Sequence, residues 1–166
     1  MKKKIRDLEL KINNPKKGLP DEIFLFLGRI SPLINVDLLI KNENNETLLT
    51  WRQKGESYKA GWHIPGGIIR FKETIDSRLN QVAKNELNTL LKKNNKFIAV
   101  NEIMLKQKNR SHFISLLYRC YLKKMPENNL KYLGKKKPKI GQWKWFKSCP
   151  KNLLKPHIIY KKYINS

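Results

Sequence analysis

The chain has 166 residues, 40% of them hydrophobic, and sets 36 Lys+Arg against 13 Asp+Glu for a net charge of +23. This composition excludes a disordered chain, and no apolar run approaches the roughly 20 residues that a bilayer span needs. The positive charge fits three origins: a compositional bias, an attraction for anionic small molecules, or a nucleic-acid surface.

In chain order, residues 1–18 read as a polar, basic lead-in, and 19–166 as a single domain of ordinary size. The basic start lacks a following apolar segment with a small-residue cleavage site, so the expected location is the cytoplasm. Pro20, Asp21 and Glu22 before an apolar run, with Gly28 after it, punctuate a short helix. Residues 32–40, rich in Ile, Leu and Val, and Leu48-Leu49-Thr50-Trp51-Arg52 read as strands on either side of the turn 42–46, so the pair predicts a hairpin. Residues 53–60 form a polar loop, and 61–71 continue as strand and turn, with Pro65-Gly66-Gly67 bending the backbone sharply.

A helix is expected from Thr74, its N-cap, to about Leu91. At about 100° per residue its apolar side chains gather on one face, while Arg78, Gln81, Lys84, Asn85 and Asn88 fall on the other. Glu86 lands among the apolar residues. A carboxylate there needs a bonded partner or a metal, because desolvating a lone charge costs several kcal/mol. A structural ion pair with Arg52 or Arg70 would serve as well as a metal. Residues 96–105 and 112–122 read as strands around the turn 106–111, followed by a basic loop at 123–140 and a strand at 142–146. Ile158, Ile159, Tyr163 and Ile164 fit a short terminal helix. Cys120 and Cys149 lack metal-ligand spacing and read as reduced thiols, with one disulfide left open. The order predicts a mixed β-sheet flanked by helices.

The words Gly61-Trp62-His63-Ile64-Pro65-Gly66-Gly67, Glu73 six residues beyond Gly67, and Glu86 thirteen beyond that resemble the Nudix hydrolase box. Ser31-Pro32-Leu33-Ile34, Val36-Asp37 and Trp51-Arg52 upstream are similar to the family's sugar-nucleotide branch, typified by GDP-mannose mannosyl hydrolase. The box is degenerate: Gln81, Val82, Asn85 and Asn88 stand where the family has Arg, apolar-flanking acids and Gly. The resemblance implies an α/β/α sandwich. It implies Mg²⁺-dependent hydrolysis of a nucleoside diphosphate linked to another group, a nucleotide sugar such as GDP-mannose. It places the metal at the Gly66 carbonyl and Glu86, with Glu73 beside them as the box's conserved carboxylate. Arg52 matches a substrate-contacting Arg, Arg70 is set to replace a missing one, and Trp62 is available to stack on a ring. The family's general base is absent from its usual place, leaving His112 and Glu102 as candidates. The alternatives are a non-catalytic nucleotide-binding domain and an RNA- or DNA-binding basic protein. A small nucleotide is the expected partner, with no membrane and a possible homodimer.

Overall fold

A computed structural model describes every residue except 57 and 135, so the polar loop 53–60 and the basic run 135–137 each fall partly outside the described residues. The first strand, β1 (Leu33–Ile40), forms the middle of the molecule. Every residue in it but Ile34 is buried, as expected of a strand covered on both faces. It pairs parallel with β6 (His112–Cys120) and antiparallel with β4 (Gly66–Ile68); β6 pairs in turn with β5 (Lys96–Met104), giving the order β4-β1-β6-β5. A second, antiparallel sheet has the order β3-β2-β7, from β2 (Thr47–Arg52), β3 (Gly61–His63) and β7 (Trp143–Phe146).

The expected hairpin of the first two strands is therefore not formed. Both edges of β1 are taken, by β4 and β6, so β2 joins the other sheet and meets the end of β1 only at the bridge Lys41–Thr47. Nor is Gly66-Gly67 a turn. It is the strand β4, and neither glycine has a positive φ.

Helix α3 (Ile75–Leu87) covers one side. Thr74 caps it by accepting the Ser77 N–H at 3.2 Å, and Asp76 lies in the first turn, where the helix dipole favours an acid. It ends four residues short of the expected Leu91, because Asn88 turns left-handed (φ 50, ψ 38). Leu91 is buried instead by bridging to Leu122. Leu79, Val82, Ala83 and Leu87 close a core with Val36, Leu38, Ile40 and Trp143. On the other side, Leu39, Leu49, Trp62 and Leu117 pack with Tyr160 and Ile164 of the C-terminal segment. There Ile158 and Ile159 are exposed, since a 3₁₀ turn (Lys155–Tyr160) precedes the short α4 (Lys161–Asn165) and shifts the buried phase to Tyr160 and Ile164.

The lead-in contains α1 (Lys2–Glu9), with no buried residue. Helix α2 (Asp21–Ile30) runs two residues past Gly28 and stops at Ser31, which is extended as the residue before Pro32 must be. Arg78, assigned by periodicity to the polar face of α3, is buried: its Nε donates to Glu73 Oε2 at 2.7 Å and its Nη2 lies 2.6 Å from the same oxygen. Cys120 and Cys149 are both free thiols, and burial pushes Cys120 up to about 12.

Candidate active site

Glu86 lies where the two sheets and α3 meet. Thr50 and His63 stand opposite each other on β2 and β3. Thr50 Oγ1 donates to Glu86 Oε2 at 2.9 Å, and the backbone N–H of Gly66 donates to Oε1 at 3.1 Å. His63 Nε2 is 3.5 Å from Oε2. Neither Arg52 nor Arg70 bonds to this carboxylate, so the ion-pair alternative is not realised. Burial raises the Glu86 pKa, against the lowering effect of the two hydrogen bonds and of the Arg52 charge.

The network contains one proton too few. His63 Nδ1 is 2.9 Å from the Ile64 carbonyl, which can only accept, so the neutral ring carries its proton on Nδ1 and leaves Nε2 as an acceptor. Thr50 Oγ1 is 2.9 Å from that Nε2 as well as from Glu86, yet has a single hydrogen to give. A proton or a cation on Glu86 would resolve the conflict, freeing the hydroxyl hydrogen for His63.

Gly66 supplies a second oxygen. Pro65 O accepts from Leu38 N and Ile69 N donates to Ile34 O, so alternate residues of β4 point at β1. Gly66, between them, turns its N–H and C=O off the free edge of the sheet, toward the Glu86 side. Among the described residues no group of three or more His, Cys, Asp or Glu could hold a metal. The oxygens this site could offer a cation are those of Glu86 and the Gly66 carbonyl. Glu73 Oε2 accepts from the Arg70 N–H at 2.9 Å and from Arg78 Nε at 2.7 Å.

Beside this point opens a cavity of about 410 Å³, within the range of small-molecule sites. Gly66 and His63 are in its wall and Glu86 lies behind them. Arg52 lines it and makes no ion pair among the described residues. Asp37 also lines it; its Oδ2 accepts from Asn35 at 2.7 Å, from Tyr160 at 2.5 Å and from Ser115. His157 Nδ1 accepts the Ile64 N–H at 3.3 Å, which leaves the proton on Nε2 and makes the ring a donor in this wall.

Three expected residues are elsewhere. Arg70 is exposed and lines a separate cavity of about 470 Å³ against α2, so it does not join Arg52 on one ligand. Trp62 is 3% exposed among Trp51, Tyr132 and Phe146, which leaves no face for a substrate ring. His112 pairs with Glu102 at 3.1 Å, outside the cavity wall. Sequence reading missed His63, His157 and Arg110. His63 stands in the quoted glycine motif. The other two lie far along the chain, with no local signal.

Buried neutral histidines tie stability to pH. His63 is pushed from 6.5 down to about 3, by burial first and then by the Arg52 charge; His157 falls to about 3 mainly through burial. Between those values the unfolded chain binds more protons, so stability is full above pH 6.5 and declines as pH falls toward 3. For His63 the slope is up to about 1.4 kcal/mol per pH unit. Glu86, with its pKa raised above 4.5, acts in the opposite sense just above that value. Urea melts from pH 7 to pH 5 check this, and His63→Gln should flatten the dependence.

No protein-family model matches the chain. The low-salt glycan biosynthesis protein Agl8 of Haloferax volcanii is 33% identical over 75 residues, 45% of this chain and 47% of that protein. The match thus spans about half of the relative's length. Among solved structures, a MutT Nudix hydrolase from Burkholderia pseudomallei superposes with TM-score 0.62 at 16% identity, over 80% of this chain and 97% of that one. A UDP-X diphosphatase gives 0.58 at 18% identity, over 98% and 77%. A bifunctional NMN adenylyltransferase/ADP ribose pyrophosphatase from Francisella tularensis gives 0.52 at 22%, over 80% and 40%. The chain has the fold of the Nudix hydrolases.

Proposed function

We propose that the protein hydrolyses a nucleoside diphosphate linked to a second group, a nucleotide sugar being the first class to test, and GDP-mannose the first member. The observation that carries this reading is Glu86, held by Gly66 and Thr50 without a protein cation beside a cavity that contains Arg52. Solved structures of the same fold include a UDP-X diphosphatase, which supports the diphosphate class. Glu86 and the Gly66 carbonyl would hold Mg²⁺, which would neutralise the diphosphate. Arg52 would stabilise charge developing on the leaving phosphate, in a cavity that limits water around it. His157 would donate a hydrogen bond from Nε2, and the three bonds to Asp37 would hold its carboxylate ready to bind or orient a substrate hydroxyl.

A second reading, a nucleotide-binding domain without turnover, draws on the non-acidic Gln81, Val82 and Asn85 and on the lack of a three-ligand cluster among the described residues. Purified protein with Mg²⁺ and a panel of GDP-, UDP- and ADP-sugars separates the two. Release of sugar or sugar phosphate that stops with EDTA supports the hydrolase. Calorimetric nucleotide binding with no product and no Mg²⁺ dependence supports the binder.

A further inference from the structure

The turn 105–111 between β5 and β6 contains an arginine that local composition marks only as one more cation. Arg110 adopts φ 51, a left-handed conformation that costs a side-chain-bearing residue about 1–2 kcal/mol. The turn is built to hold it there. Leu105 N donates to Ser111 O at 2.7 Å, and the Gln107 side chain donates to the carbonyls of Asn109 and Arg110 at 2.7 and 2.8 Å. Helix α2 leaves room for it: a Cβ on Gly28 would lie 3.4 Å from Arg110 Cγ. The guanidinium sits over two rings, 5.5 Å from Phe24 and 5.8 Å from Phe113.

What this arrangement lacks is an anion. Arg110 makes no ion pair among the described residues, and its Nε is buried without a hydrogen-bond partner. It lines the same cavity as Arg52, and the Arg52 charge is felt at Arg110 as repulsion. The carboxylates in that wall are Asp37, already bonded to Asn35, Tyr160 and Ser115, and Glu56, whose Oε1 accepts the Lys108 N–H at 3.3 Å. Two like charges facing one cavity, one of them partly desolvated and conformationally strained, are a setting that a doubly charged ligand between them would stabilise. Planar guanidinium forks match phosphate oxygens bidentately.

We propose that Arg110 and Arg52 form a two-arginine clamp for a diphosphate in this cavity, with Arg110 fixed in position by the 105–111 turn and the rings of Phe24 and Phe113. The proposal rests on the phosphoanhydride substrate class proposed above and names the residues that grip it.

The test is calorimetric titration of inorganic pyrophosphate into the full chain, in EDTA. Arg110→Lys keeps the charge and loses the fork, and Arg110→Gln loses both; they are expected to weaken binding by roughly 5-fold and roughly 30-fold. Lys161→Gln, on the C-terminal helix, serves as the control for diffuse attraction to a +23 chain and is expected to change affinity less than 2-fold. Absence of pyrophosphate binding to the wild-type chain, unchanged affinity in both Arg110 variants, or an equal loss in Lys161→Gln would each overturn the clamp. If both Arg110 variants fail to fold, phenylglyoxal labelling of the wild-type chain decides: pyrophosphate should protect Arg52 and Arg110 and spare Arg6, and equal labelling with and without it overturns the clamp. Arg110-dependent pyrophosphate binding without turnover of any nucleotide sugar leaves the clamp standing and removes the hydrolase reading. Turnover that is indifferent to Arg110 does the reverse.

Discussion

Glu86→Gln is expected to reduce kcat/KM on the best nucleotide sugar by about 10²–10³-fold while leaving the fold intact. Glutamine keeps the shape of the side chain. Its amide oxygen can still accept the Gly66 N–H, now at 3.1 Å, and its nitrogen can donate to Thr50 Oγ1, releasing the hydroxyl hydrogen toward His63. The substitution thus removes a partly desolvated charge and settles the proton shortage around Thr50. Stability should hold or rise, with a Tm shift within about 4 °C for a change near 1 kcal/mol in a domain of this size. Two measurements check this: steady-state kinetics across the substrate panel and a thermal melt of each protein. Activity retained within a few-fold would mean that Glu86 is a structural carboxylate and that the reacting centre lies elsewhere in the cavity.

Gly66→Ala is expected to have the largest effect on stability, about 2–4 kcal/mol, or roughly 6–12 °C in Tm. A Cβ built there would lie 2.0 Å from Asp37 Oδ1 and 3.0 Å from the Val36 carbonyl oxygen. Neither neighbour can yield readily. Val36 is backbone of the central strand, and Asp37 is 2% exposed with three hydrogen bonds on its other oxygen. Relief would require separating β4 from β1, which also displaces the N–H that Glu86 accepts. Gly67→Ala makes the contrast: its Cβ would meet Val82 Cγ2 at 2.8 Å, a longer contact than the 2.0 Å at Gly66 and with no backbone atom among its nearest neighbours, so the cost should be smaller. Urea melts of the two variants with a common m-value give the comparison, and equal losses would refute the role assigned to Asp37.

Much of the frame was legible because it follows from local chemistry. The cap at Thr74, the acid at Asp76 and the 3.6-residue apolar period fix α3, and they mark Glu86 as a carboxylate on a face where it needs a partner. The apolar strand runs, the turn at 106–111 and the family-like motif at 61–73 pointed to the mixed sheet with helices on its faces. Period and composition carry no information about which strand edge is free, so the pairing of β1 with β4 and β6 went unread, and with it the extended form of Gly66-Gly67. The same limit applied to Arg78, whose wheel position looked solvated until Glu73 was found to neutralise it.

What the sequence determined by itself is the order of the main strands and helices, apart from α1 and β4, and one out-of-place carboxylate, because helix phase and capping are set by residues within a few positions of each other. What only the tertiary structure decided is the company that carboxylate keeps. Thr50, His63 and Gly66 reach Glu86 from three strands, His157 and Arg110 enter the adjoining cavity from distant segments, and Arg70 and Trp62 turn away from it. Those placements depend on strand pairing and on side-chain burial across separations of 20 residues and more, where the chain's local preferences no longer constrain direction.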